Sequence, residues 1–145
     1  MEYKINSCNY DIKELIRETI KEYNIDYWDE WLENQDYSSL PKEPNILISA
    51  EEDNKLVGTC AFRKVDDDTC QFNTWYVRKE YRNKGIGTKL FDMCEEQATK
   101  NKYKRIVFAT DPNFKEAHKH FERKGYTFDY CDLDEKEMYY YKEIL

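Results

Sequence analysis

Apolar residues recur along this chain in two distinct periods. Between Asp11 and Ile20 they fall at Ile12, Leu15, Ile16 and Ile20, one face of a helix. Asp11 and Glu14 stand at its start in capping-box spacing. Tyr27, Trp28, Trp31 and Leu32 repeat the helical spacing over Asp26 to Glu33. Gln35 to Asn45, with Pro41 and Pro44, reads as a loop. From Ile46 the period shortens. Ile46 to Ala50 and Leu56 to Phe62 flank a polar turn at Asp53-Asn54-Lys55, which predicts a hairpin after a short first strand at Glu2 to Asn6. A turn at Asp66-Asp67-Asp68 leads into a further strand, Thr69 to Val77.

The second half alternates. Gly87 to Lys100 is helical, with Ile86, Leu90, Phe91, Cys94 and Ala98 inward, and Arg105 to Ala109 is a buried strand. Asn113 and Glu116 have capping-box spacing ahead of a helix carrying Phe114, Ala117 and Phe121 inward, with Gly125 as its C-terminal cap. Tyr126 to Cys131 and Met138 to Glu143 close the sheet. The pattern contains no repeat and no linker. It predicts one α+β domain over residues 1–145, a mixed sheet with helices on both faces.

Composition narrows the classes. The 145 residues include 40% hydrophobic and 16% aromatic side chains, too many for a disordered chain. A net charge of -7 argues against nucleic acid as a general partner and tolerates a cationic one. No apolar run approaches the roughly 20 residues that span a bilayer, and Met1-Glu2-Tyr3-Lys4 opens no secretory leader. The expectation is a cytoplasmic protein without a membrane partner. Five scattered cysteines without a Cys-x-x-Cys pair predict reduced thiols rather than a disulfide frame or a metal site. His118 and His120, two apart on a helix, point to different faces, so no metal pair is expected, and both read as partly exposed.

Candidate chemistry concentrates between strand and helix. Of four glycines, two lie in Arg82-Asn83-Lys84-Gly85-Ile86-Gly87-Thr88. Glycines there let a ligand approach the backbone, and the helix start adds a partial positive charge suited to a pyrophosphate. Arg78, Lys79, Arg82, Lys84 and Lys89 surround the loop against one carboxylate, Glu80. The spacing matches neither a P-loop nor a Rossmann fingerprint.

The stretch Tyr76 to Leu90 resembles the acyl-CoA signature of the GNAT superfamily of N-acetyltransferases, Arg/Gln-x-x-Gly-x-Gly/Ala after a strand. Ala117 to Tyr126 is similar to the family's second motif, an Ala followed by an aromatic and then Gly-Phe/Tyr. Val57-Gly58 and the order of elements also fit. The resemblance implies a twisted, mostly antiparallel sheet of six to seven strands with a splayed central strand pair. It implies acetyl-CoA as co-substrate, no metal, and a small-molecule, peptide or protein amine as acceptor. Homodimers occur in the superfamily.

Residue by residue, the resemblance gives Tyr76, Val77 and Arg78 to the pantetheine arm, with Val77 N–H as the group that polarises the thioester carbonyl. Backbone from Arg82, Asn83, Lys84, Gly85, Ile86, Gly87 and Thr88 would hold the pyrophosphate. Asn113 and Phe114 would approach from the other side. Trp28, Trp31 and Tyr37, with Tyr27, lie where relatives bind the acceptor, as an aromatic cage or as plain core. Two departures matter. The usual basic Glu aligns with Gln71, and the usual acidic Tyr with Phe121. Either a water relayed by Asn73, Glu51 or Asp111 removes the amine's proton, or the protein binds acyl-CoA and turns over poorly.

Overall fold

The computed structural model describes residues 1–145. A single seven-stranded sheet runs in the order β1-β2-β3-β4-β5-β7-β6. Its strands are β1 (Glu2–Ile5), β2 (Ile46–Glu52), β3 (Lys55–Lys64), β4 (Thr69–Val77), β5 (Arg105–Thr110), β6 (Thr127–Asp132) and β7 (Glu137–Glu143). Every neighbouring pair is antiparallel except β4 with β5. That pair is parallel because a helix, α3 (Ile86–Lys100), carries the chain back across the sheet between them.

Two cores sandwich the sheet. Ile46, Ile48 and Ala50 of β2 face α3, where Leu90, Phe91, Cys94 and Ala98 are fully buried, and α4 (Lys115–Arg123) adds Phe121 to the same core. Leu47, between them in sequence, faces α1 (Ile12–Tyr23) with its stripe of Ile12, Leu15, Ile16 and Ile20. Alternation along one strand thus serves both faces. Asp11 caps α1 by accepting from Lys13 N at 2.9 Å, and Asn24 ends it in the left-handed region at φ 54°. The second helical stretch divides into a 3₁₀ turn at Asp26–Trp28 and α2 (Asp29–Glu33), where Leu32 alone is buried. No helix is long and apolar enough to cross a membrane.

One cap departs from expectation. Asn113 does not cap α4: the residue before the helix is Phe114, which makes no side-chain cap bond. Asn113 instead donates to Asp111 Oδ1 at 2.7 Å and to Tyr27 Oη at 3.2 Å. A carboxylate two residues back and a distant phenol take the amide that would have capped the helix.

Candidate functional site

The site begins with a mismatch between β4 and its neighbours. Pairing with β5 runs only from Thr69↔Arg105 to Phe72↔Phe108, so β4 from Asn73 onward has no partner on that side. On the other side the register jumps from Ala61↔Asn73 to Thr59↔Tyr76, leaving Cys60 opposite both Thr74 and Trp75. This is a β-bulge, with Thr74 in the left-handed region at φ 55°. Thr59 Oγ1 donates to Thr74 O at 2.6 Å, and Thr74 Oγ1 to Asn73 Oδ1 at 2.8 Å. The bulge re-aims the strand. Phe72 and Trp75 lie three apart yet both pack toward α3, while Tyr76 packs toward α1.

Beyond the bulge, Arg78 N donates to Val57 O at 2.9 Å, which makes Arg78 and Val57 a hydrogen-bonded pair. Val77 and Gly58 are then the next, non-bonded pair. The antiparallel alternation therefore turns the Val77 N–H away from β3, toward the gap left by β5. Gly58 is needed here: a Cβ on it would lie 2.8 Å from Tyr76 O.

The glycine loop closes one end of the gap. Asn83 and Gly85 adopt φ 61° and 81°, and Gly85 caps α3. No N–H from Asn83 to Thr88 donates to another protein group; the next, Lys89 N, reaches Gly85 O at 3.0 Å. A helix start leaves such donors free for an anion. Trp75 Nε1 donates to Gly87 O at 3.0 Å and ties the re-aimed strand to the loop. The surrounding cations are less free than their number suggests. Arg78 and Arg82 pair with Glu18 and Glu22 of α1, and Arg82 Nε also holds Val77 O at 2.9 Å. Lys84 and Lys89 lie over the rings of Tyr81 and Tyr3, at 5.6 and 5.3 Å.

One cleft of about 880 Å³ joins the loop to the opposite side of the sheet. Of the residues singled out in the sequence, Tyr76, Val77, Arg82, Asn83, Gly85, Gly87 and Thr88 line it, as do Phe114, Phe121 and Asn73. Trp28, Trp31 and Tyr37 form its far wall. The side chains of Arg78, Lys84, Ile86 and Asn113 stand outside the lining. Trp28 packs on Trp31 and edge-on to Phe114, each at 5.4 Å; Trp31 is 44% exposed, whereas Trp28 and Tyr37 are partly buried against the α1 core, so the stripe both lines the cleft and packs on the core. Phe121 is buried against Phe108, with ring centres 3.9 Å apart. Glu51 lies away from the cleft and pairs with Lys4 at 3.0 Å.

The histidines divide. His118 Nε2 sits 3.1 Å from Asp111 O. His120, expected to be partly exposed, is buried between Trp75 and Phe91, both 4.9 Å away, and its Nε2 has no partner. Positions 117, 120 and 121 form one helical stripe, which places His120 inward. Burial, then the charges of Lys124 and Arg123, lower its pKa below the usual imidazole value.

Sequence reasoning missed Trp75, whose facing depends on the bulge, and the closeness of Tyr27 to Asp111. Tyr27 donates to Asp111 Oδ2 at 2.7 Å, and its phenol pKa is pushed up to about 12 by burial and by that carboxylate. Burial likewise raises Tyr37 to about 12 and moves Tyr76 upward.

A mixed sheet with one splayed parallel pair, a bulged β4 and an open glycine loop defines an acetyltransferase fold. Residues 9–126 match the Acetyltransferase (GNAT) family, and the chain belongs to that family. The PaiA N-acetyltransferase from Thermoplasma acidophilum, solved with coenzyme A, superposes at a TM-score of 0.80 and 17% identity over 99% of this chain and 100% of that one. A GNAT acetyltransferase from Staphylococcus aureus Mu50 gives 0.77 at 22%, covering 99% and 100%. One from Elizabethkingia anophelis with acetyl-CoA bound gives 0.70 at 14%, covering 99% and 97%. At these identities the likeness is one of fold. No curated sequence matches the chain.

Proposed function

We infer that this protein moves an acetyl group from acetyl-CoA to a primary amine of a small molecule, peptide or protein by direct attack in a ternary complex. The observation that carries the reading is one continuous cleft at the splayed strands, with unpartnered loop N–H groups at one end and an aromatic wall at the other. The cofactor fits the residues present. Gly85 leaves open space where a Cβ would stand, and the loop donors suit a pyrophosphate. Acetyl-CoA supplies the acetyl group as a thioester. In this reading the whole chain works as one cytoplasmic domain.

The chain's own residues divide the work. Loop N–H groups from Asn83 to Thr88 hold the pyrophosphate. The backbone of Tyr76, Val77 and Arg78 takes the place of the missing β5 pairing against the pantetheine arm. Val77 N–H faces the gap and stabilises the developing oxyanion. Phe114 and Phe121 exclude water from the arm. An alkyl amine with a pKa of about 10 arrives protonated, and a water positioned by Asn73, on the cleft lining, relays the proton out to solvent, so that the neutral amine attacks. Thiols with a pKa near 8.5 leave as thiolates without an acid, which accommodates Phe121.

A second reading is favoured by Gln71 and Phe121: a module that binds acyl-CoA with little turnover. Calorimetric titration with acetyl-CoA, repeated on Gly85→Glu/Gly87→Glu, tests the site. CoA release across an amine panel separates the two readings. Well-folded protein without acetyl-CoA binding sinks both.

A further inference from the structure

The acceptor end of the cleft holds a buried charge without a counter-charge. Two carboxylates in this protein are buried, Glu51 and Asp111, at 8% and 3% exposure. Glu51 has Lys4 at 3.0 Å. Asp111 forms no ion pair and lines the cleft at the end of β5. Its partners are all neutral: Oδ1 accepts from Asn113 N at 2.8 Å and Nδ2 at 2.7 Å, and Oδ2 accepts from Tyr27 Oη at 2.7 Å. A carboxylate oxygen accepts about two hydrogen bonds. Oδ1 is thus filled, and Oδ2 has room for one more donor.

A second observation comes from the β6–β7 turn. Lys136 lies between Glu135 and Glu137 in sequence, yet forms an ion pair with neither. Its Nζ stands 4.0 Å from the centre of the Tyr27 ring. The same tyrosine thus presents its face to an ammonium and its hydroxyl to the lone carboxylate. An ammonium is drawn to both an aromatic face and an anion.

We propose that Tyr27 and Asp111 form a subsite for a non-reacting alkylammonium of the acceptor, and that Lys136 covers its Tyr27 face in the free protein. The proposal rests on the amine-acetylation reading and adds the acceptor's class: a molecule with at least two amino groups, one anchored here while another attacks. Asp111 is therefore a specificity residue. Asn113 and the His118 contact to Asp111 O position it. Lys136 must yield its place when the acceptor enters, so the turn competes with the substrate.

The test uses the full chain and two probes of equal length, 1,4-diaminobutane and n-pentylamine. In calorimetric titrations of CoA-saturated protein, the diamine binds on the order of tenfold more tightly or better. Asp111→Asn and Tyr27→Leu remove that preference, Tyr27→Phe keeps part of it, and Lys136→Ala strengthens diamine binding. In turnover, Asp111→Asn raises KM for the diamine and leaves its kcat within a fewfold. Equal binding of the two amines by folded wild type overturns the proposal, as does a loss confined to kcat, which would make Asp111 a proton acceptor. Diamine binding lost in Asp111→Asn, without any CoA release by the wild type, would keep the subsite and sink the amine-acetylation reading.

Discussion

Thr59 Oγ1 donates to the carbonyl oxygen of Thr74 at 2.6 Å, and this bond pins the extra residue of β4. Thr74 is a β-branched residue in the left-handed region, an arrangement that persists only when its surroundings enforce it. Thr59→Val keeps the shape and removes the donor. The expected loss is about 1 kcal/mol in urea unfolding. Because Trp75, Tyr76 and Val77 take their facing from the bulge, weaker acetyl-CoA binding should accompany it. Unchanged stability and binding would mean that the bulge holds without this bond.

Gly58→Ala addresses the same strand from β3. The new Cβ would stand 2.8 Å from Tyr76 O and 3.0 Å from Leu90 Cδ1, the first of them backbone that cannot rotate away. Overpacking of this kind costs about 1–3 kcal/mol. Calorimetry with acetyl-CoA should show weakened affinity as well, since β4 must shift at the residues facing the gap.

Phe121→Tyr asks whether a proton donor is missing. The ring is 1% exposed within a cluster of Phe108, Trp75 and Tyr140, and it lines the cleft. A phenol there is expected to raise kcat, with about 10²–10⁴-fold as the ceiling for a general acid. It should also lower the melting temperature slightly, because a hydroxyl enters an aromatic core. An unchanged kcat in folded protein would place this position away from the leaving thiolate.

His120 makes stability depend on pH. Its pKa in the folded state lies below the 6.5 of a free imidazole. The unfolded chain therefore takes up a proton first as pH falls, and stability decreases from about pH 6.5 downward until the native imidazole also protonates. Above that value no loss arises from this residue. His120→Leu should flatten the slope of melting temperature against pH between roughly 5 and 7. Parallel slopes for the two proteins would show that the ring is not held neutral.

Much of this arrangement was legible in local pattern. The stripe Leu90, Phe91, Cys94 and Ala98 fixed the buried face of α3, and the two apolar runs around Asp53 and Asn54 gave the β2–β3 hairpin. Features that depend on distant partners were not legible. Strict alternation would put Phe72 and Trp75 on opposite faces, and Thr74 carries no glycine or asparagine signal for a bulge. Arg78 and Arg82 look like free phosphate ligands until α1 supplies Glu18 and Glu22. Asn113 has the spacing of a cap, but Tyr27 and Asp111 claim its amide.

The two ends of the cleft are anchored by different kinds of structure. The loop end hangs on β4 and the fifteen-residue helix α3, at the centre of the sheet. The far end is made by a 3₁₀ turn, a five-residue helix and the turn before β7, none of which supports a strand pairing near the gap. Substitutions at exposed positions of the far end can therefore accumulate without unfolding the centre, whereas Leu32 is held by the core. On the amine-acetylation reading, a lineage of such proteins is free to change its choice of acceptor while inheriting its donor machinery intact.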